Sequence, residues 1–92
     1  MKTIAALCGK SRRRHMRFVR DVRAGKLGAV YADDRSLYRI ALRLHRAGLL
    51  ILTWKDVPFR DGSIAFREFR PELTRQAASA NGWKILPGSP LP

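Results

Sequence analysis

Arginines in one short stretch are the residues whose type and spacing most directly imply chemistry. Over residues 34–47, apolar side chains recur at i, i+3, i+4 and i+7, which predicts a helix packed on a core. At about 100° per residue, the arginines collect on the opposite side of that helix. They are Arg35, Arg39, Arg43 and Arg46, with Ser36 and Tyr38 among them. A guanidinium can pair bidentately with guanine in the major groove and can also grip phosphate, so this side predicts contact with DNA.

A solvated helix face is the ordinary explanation for charge on a helix, but such a face usually mixes signs. No acidic residue lies between Arg35 and Arg46, which favours DNA contact. The first three arginines are expected to reach bases, and Arg46 to contact phosphate or only solvent. Ser36 and Tyr38 are expected to donate to phosphate or to base edges.

A second group of arginines lies earlier in the chain and permits two interpretations. The group is Arg12, Arg13, Arg14 and Arg17. If one helix runs continuously from Thr3, the group lies in mid-helix. If instead Ser11 caps a helix that ends before Gly25, the group lies at the positive end of the helix dipole and needs phosphate contact. Either way these arginines are candidate phosphate contacts.

Two β-prone runs, residues 49–54 and 64–69, predict a hairpin whose loop covers residues 55–63. Asp61-Gly62 is its turn signal. Lys55 and Arg60 in this loop are candidates for contact with DNA backbone or minor groove. Acidic residues alternate with them, so a balanced, solvated loop is nearly as good an explanation.

The remaining segments complete one domain over residues 1–86. Residues 25–33 fit a short helix or a short strand. Pro71-Glu72 predicts the start of a last helix, with proline at its first position, and Asn81-Gly82 its end. Residues 87–92 hold three prolines and predict a mobile tail. Large aromatic residues are assigned to the core: Trp54, Phe66 and Phe69.

The charge of the 92-residue chain is +12, and it is unevenly placed. Residues 1–48 carry 13 Lys/Arg against 3 Asp/Glu, a net +10. Such an excess favours a polyanionic partner, most often nucleic acid. The lone Cys8 suggests a reducing cytoplasm, and no apolar run suits a signal peptide or a membrane span. We therefore expect a cytoplasmic, nucleoid-associated protein.

No pattern in the sequence points to catalysis or to a cofactor. Carboxylate pairs, glycine-rich phosphate loops and nucleophile–base spacings are missing. His15 and His45 are interpreted as ordinary residues rather than metal ligands. We expect no enzymatic activity, no metal and no small-molecule ligand.

The order helix, basic helix, hairpin, helix over residues 16–76 resembles the winged helix-turn-helix regulators of bacteria, the MarR-like and ArsR-like groups in particular. Four short matches carry the resemblance: Arg35-Ser36-Leu37, residues 46–50, Asp61-Gly62 and Leu73-Thr74. It implies a mostly helical α+β fold with helices, a two-stranded hairpin wing and a C-terminal helix. It also implies sequence-specific binding of double-stranded DNA by a small bacterial, phage or plasmid transcription regulator, with helix 34–47 in the major groove and wing 55–63 on the backbone or minor groove.

The sequence departs from that family between Gly25 and Asp34, where a whole second helix normally fits, so a helix or strand must be truncated or absent there. The family's metal ligands have no counterparts. A homodimer is expected, through residues 3–8 or the last helix with Trp83. Two alternatives stay open: an RNA-binding or ribosome-associated basic protein, and a phage or plasmid interaction protein on the same scaffold.

Overall fold

Three helices and a four-stranded antiparallel sheet make up residues 9–91, the part of the chain that the computed structural model describes. In chain order the elements are α1 (Gly9–Arg23), β1 (Val30–Tyr31), α2 (Arg35–Arg46), β2 (Ile51–Pro58), β3 (Ile64–Glu72), α3 (Arg75–Ala80) and β4 (Lys84–Ile85). The predicted α+β class is confirmed. No helix among these residues has the length and apolar character needed to cross a membrane.

Helix α1 places one apolar side against the core and its arginines outside. His15 and Phe18 are buried, and Val22 packs against the same cluster. Gly25, at φ 70°, terminates the helix as predicted because glycine enters the left-handed region without steric cost. Ser11 lies inside α1, so the prediction that it caps the helix is wrong. Continuity from Thr3 and the proposed pairing segment 3–8 concern residues outside the described range.

Helix α2 matches its predicted bounds and sidedness. Asp34 is the N-cap, and its Oδ1 accepts a hydrogen bond from the Leu37 backbone N at 3.4 Å. Ile40, Ala41 and Leu44 are buried in the core. Gly48, at φ 79°, then turns the chain into β2. The burial of one side fixes the rotation of the helix and therefore the direction of its arginines.

The segment between α1 and α2 forms strand β1, which decides between the two predicted conformations. Val30 and Tyr31 pair antiparallel with Phe69 and Glu68 of β3. The family's second helix is absent from residues 25–33. The element order therefore differs from the predicted one, because a strand separates the two helices and another follows the last helix.

The sheet is wider than the predicted two-stranded hairpin, with strand order β1-β3-β2-β4. Its inner face, which includes Leu52 and Phe69, packs with α1 and α2 in one core cluster. Helix α3 covers one end of the outer face, where Asn81 Nδ2 donates to Thr53 Oγ1 at 2.8 Å. The fold is thus more evenly divided between helix and strand than the resemblance implies.

The start of the last helix is predicted wrongly. Pro71 and Glu72 end β3, where they pair with Leu52 and Ile51. Helix α3 begins later, with Thr74 as N-cap accepting from Ala77 N at 3.0 Å. Burial of Pro71 in the sheet outweighs the preference of proline for a helix start. The predicted end holds, since Asn81 is the C-cap and Gly82 has φ 78°.

Residues 87–91, which the sequence assigns to a mobile tail, make specific contacts in this structure. Pro87 O lies 3.0 Å from His45 Nε2, and Ser89 Oγ donates to Leu50 O at 3.3 Å. Leu91 O accepts from the Arg75 guanidinium at 3.1 and 3.3 Å. The chain thus returns across the α2–β2 corner.

Candidate nucleic-acid interface

A cleft of about 200 Å³ lies between α1 and α2 and gathers most of the predicted arginines. Helix α2 contributes every fourth residue from Arg35 onward, which at about 1.5 Å per residue spaces successive arginines by about 6 Å. Helix α1 supplies the facing wall. The cleft is lined by Ser11, Arg14, His15, Arg35, Ser36, Arg39, Ile40 and Arg43.

The lining of this cleft is strongly positive and contains no carboxylate. Within residues 9–91, neither Arg14 nor the three lining arginines of α2 take part in an ion pair. The ion pairs there join sheet residues instead: Arg67 with Asp56 at 2.9 Å and Arg70 with Glu72 at 3.0 Å. The four guanidinium groups repel one another, and an anion between them would relieve that repulsion.

His15 forms a buried part of the cleft lining and is only 2% exposed. Its Nδ1 lies 2.6 Å from Ser11 O, one turn back in α1. Its Nε2 is buried and has no hydrogen-bond partner among the described residues. A buried polar atom without a partner is uncommon in a folded protein and marks a place where a ligand or water belongs.

The structure separates the other predicted site residues from this cleft. Arg12, Arg13, Arg17 and Arg46 are exposed but do not line it. Tyr38 is half-buried, with its ring 4.9 Å from that of Phe69, so it packs on the sheet rather than beside the arginines. Of the predicted set, the cleft brings together Arg14, Arg35, Ser36, Arg39 and Arg43.

The hairpin carries its two predicted basic residues in different settings. Lys55 lies within β2 and not in a loop, since β2 extends to Pro58 and the turn is shorter than predicted. Its Nζ lies 4.8 Å from the Trp83 ring centroid. Arg60 lies in the exposed turn, next to Asp61. Hydrogen bonds from Ser63 to the Asp61 carboxylate order this turn and lower the pKa of Asp61.

The outer face of the sheet is aromatic and open at the hairpin end. Tyr31 and Phe66 are 41% and 45% exposed, with ring centroids 5.7 Å apart. The assignment of Phe66 to the core is therefore wrong, because the six-residue α3 is too short to cover this end of the sheet. Trp54 is half-buried, with the Arg67 guanidinium 3.9 Å and Lys84 Nζ 4.7 Å from its ring centroid. Phe69 is buried as predicted.

His45 has the opposite environment to His15. It is 1% exposed, and its Nδ1 accepts from Leu52 N at 2.9 Å while Nε2 faces Pro87 O at 3.0 Å. An amide N–H can only donate, so the ring hydrogen is on Nε2 and both nitrogens are satisfied. Burial lowers the pKa of His45, and the charges of Arg46 and Arg75 lower it further.

Ser11 and His15 are the cleft residues that the sequence reasoning missed. Both stand on the apolar side of α1, where their spacing suggests only packing. A histidine in an apolar stripe one residue after Arg14 is a weak signal of a buried polar site. It gains meaning only when the structure sets the arginines of α2 opposite.

No family model, curated protein or solved structure matches this chain. The function of the protein is therefore inferred from the geometry and charge of the cleft, and from the exposed surfaces of α1, α2 and the sheet.

Proposed function

We propose that this protein binds double-stranded DNA through the basic surface formed by α1 and α2. The observation that carries the proposal is the cleft whose lining contains four guanidinium groups and no carboxylate. A surface of that kind attracts a polyanion by releasing its condensed counterions. The +10 charge of residues 1–48 extends the same attraction over the flanking surface.

The finer assignment is a winged helix reduced by one helix. In this proposal α2 enters the major groove, where its arginines read bases and also bind the adjoining phosphates, while the β2–β3 hairpin is the wing and carries Arg60 at its tip. Two features of α2 support its role: the Asp34 cap and a buried apolar side, which together hold the arginines in fixed directions. A rigid element positions contacts more accurately than a loop does. The cellular role would be that of a small transcription regulator acting as a homodimer.

The test begins with selection of duplexes from a random pool, followed by fluorescence anisotropy on the selected site and on a scrambled duplex. Arg39→Ala is expected to lose about 1–3 kcal/mol on the selected site and to narrow its advantage over the scrambled one. Arg13→Ala, outside the cleft, is the matched control and should weaken both duplexes equally. If no duplex is retained, or if both variants weaken both duplexes alike, the assignment of α2 as the reading helix fails.

A second candidate function, binding of single-stranded RNA, gains support from one observation. Proteins that read RNA sequence usually stack bases on aromatic side chains exposed on a sheet, and Tyr31 and Phe66 are exposed on one face of this sheet. Bases stack on such rings with about 1–3 kcal/mol each. If RNA is the ligand, Phe66→Ala should weaken a single-stranded RNA complex roughly tenfold or more while Arg39→Ala has the smaller effect. If DNA is the ligand, the ranking is reversed.

A further inference from the structure

We propose that the cleft between α1 and α2 is a seat for a single phosphate group, with His15 Nε2 as a buried hydrogen-bond donor to it. This deepens the proposed function and rests on it in one respect, the assignment of that phosphate to a DNA backbone. The seat itself is argued from the cleft alone.

The hydrogen-bond geometry of His15 determines what its unpartnered Nε2 can bind. Ser11 O can only accept, so the 2.6 Å contact requires the hydrogen of the ring on Nδ1. Nε2 then carries either a bare lone pair or, in the cationic ring, a second N–H. A phosphodiester oxygen offers only lone pairs, so it can bind Nε2 only when the ring is cationic.

The groups facing His15 explain why the partner should be an anion. Arg14 comes from its own helix, and Arg35, Arg39 and Arg43 come from α2. No acidic side chain lines the cleft, so within the described residues the lining arginines have no anionic partner there, and a bound oxyanion would supply one.

The size of the cleft limits the ligand class. Its volume of about 200 Å³ is smaller than the roughly 300–1,000 Å³ of typical small-molecule pockets. A phosphate group protruding from a larger molecule fits this description, whether that molecule is DNA or a free phosphate ester.

The experiment follows the His15 ring nitrogens by ¹⁵N NMR while sulfate and then methyl phosphate are titrated at pH 6 and pH 8. Sulfate is the cleaner probe because it carries no proton in this range, whereas a phosphate monoester loses its last proton near pH 6. We expect sulfate to shift the His15 Nε2 resonance in a saturable way, because the anion accepts a hydrogen bond at that atom. The His45 resonances, from a ring with both nitrogens satisfied, serve as the internal control.

Two matched pairs of substitutions isolate the cleft from general charge. Arg39→Gln and Arg14→Gln remove lining arginines, whereas Arg46→Gln and Arg13→Gln remove the same charge from the same helices outside it. A charge-assisted hydrogen bond is worth about 1.5–3 kcal/mol, so each cleft substitution should weaken sulfate binding about tenfold or more. Each control should change it less than about threefold, since only a screened charge is lost. These arginine pairs leave the buried His15 in place, so the test does not depend on a variant of that residue being able to fold.

The DNA arm separates failure of the seat from failure of the proposed function. Sulfate binding at the cleft without any duplex binding supports the seat and shows that its phosphate group does not come from DNA. A free phosphate ester is then the remaining ligand. Duplex binding in which cleft and control variants lose affinity equally, with the Nε2 resonance unmoved by sulfate, overturns the seat and leaves the proposed function standing. If neither ligand binds, both proposals are overturned.

Discussion

Mild acid is expected to destabilise this fold through His45. Its Nδ1 accepts a hydrogen bond from the buried Leu52 N–H at 2.9 Å, and Nε2 faces Pro87 O at 3.0 Å. Protonation would place a new N–H directly against the Leu52 N–H. The folded protein therefore resists the charged ring, and burial lowers the pKa of His45 below its ordinary 6.5.

The direction and size of the effect follow from proton linkage. Because the pKa is lowered in the folded state, the unfolded chain binds the proton more readily, and stability falls as the pH drops below about 6.5. With the folded ring still neutral, the slope approaches about 1.4 kcal/mol per pH unit. Between pH 6.5 and 5.5 the loss should be at most about 1 kcal/mol, the limit for a folded ring that stays neutral, which would lower the melting temperature of a domain this size by up to about 4–8 °C.

Urea unfolding of the wild type and of His45→Phe at pH 7.5, 6.5 and 5.5 measures the pH-dependent contribution of His45 to the free energy of unfolding. The variant keeps a ring but leaves Leu52 N–H unsatisfied, so it should lose about 1–3 kcal/mol at pH 7.5. Carboxylates titrate equally in both proteins, so the difference between them isolates His45. We expect that difference to shrink between pH 6.5 and 5.5, by at most about 1 kcal/mol. A stability difference that is constant with pH would refute the assigned tautomer and the hydrogen bond from Leu52 N–H to His45 Nδ1.

Three further predictions concern the tail, the salt dependence of binding and the oligomeric state. Gly48→Ala should cost more than the about 1–2 kcal/mol of a left-handed alanine, because the new Cβ would lie 2.8 Å from Pro90 Cγ. Gly25→Ala is the control, because its new Cβ would have nothing within 4 Å. Deletion of residues 87–92 should make the stability losses of the two variants equal. If urea unfolding shows that the difference between them is unchanged by the deletion, the tail does not pack against Gly48. If about six phosphates are neutralised, DNA affinity should fall on the order of 10³-fold between 50 and 200 mM salt, and a flat anisotropy response would contradict this. Sedimentation equilibrium at micromolar protein should show a dimer, and a clean monomer with an unsymmetrical footprint would contradict it.

Sequence periodicity predicted the parts of the fold whose signals are local. The bounds of α2 follow from the Asp34 cap, the apolar stripe and Gly48, all within one stretch of chain. The hairpin turn follows similarly from Asp61-Gly62. Where a segment suits two kinds of secondary structure, and pairing with a distant strand determines which one forms, the sequence alone could not decide between them. Pro71 suits a helix start and also suits the end of β3, and only the partner strand β2 settles it.

The candidate site was predictable in its charge but not in its shape. The arginine spacing on α2 identifies which side chains share a face, whereas the cleft exists because α1 lies beside them. That approach depends on Phe18 and Leu44 meeting in a common core, which no local pattern encodes. Phe66 fails for a related reason, since hydrophobicity alone does not reveal that α3 is too short to cover it.

The two buried histidines show why hydrogen-bond accounting, rather than composition, distinguishes a scaffold residue from a ligand-binding one. His15 and His45 are equally buried, and each lies on the inner side of a basic helix. His45 meets a backbone donor and a backbone acceptor, so nothing remains for a ligand and its role is to join α2, β2 and the tail. His15 meets one acceptor, and its buried Nε2 has no partner among the described residues, in a ring that lines a cleft of guanidinium groups. Burial of a polar atom without a partner carries a cost in free energy, and a bound oxyanion at that atom would offset it. Replacement of His45 by phenylalanine should therefore lower the stability of the fold. Replacement of His15 by phenylalanine should instead weaken anion binding.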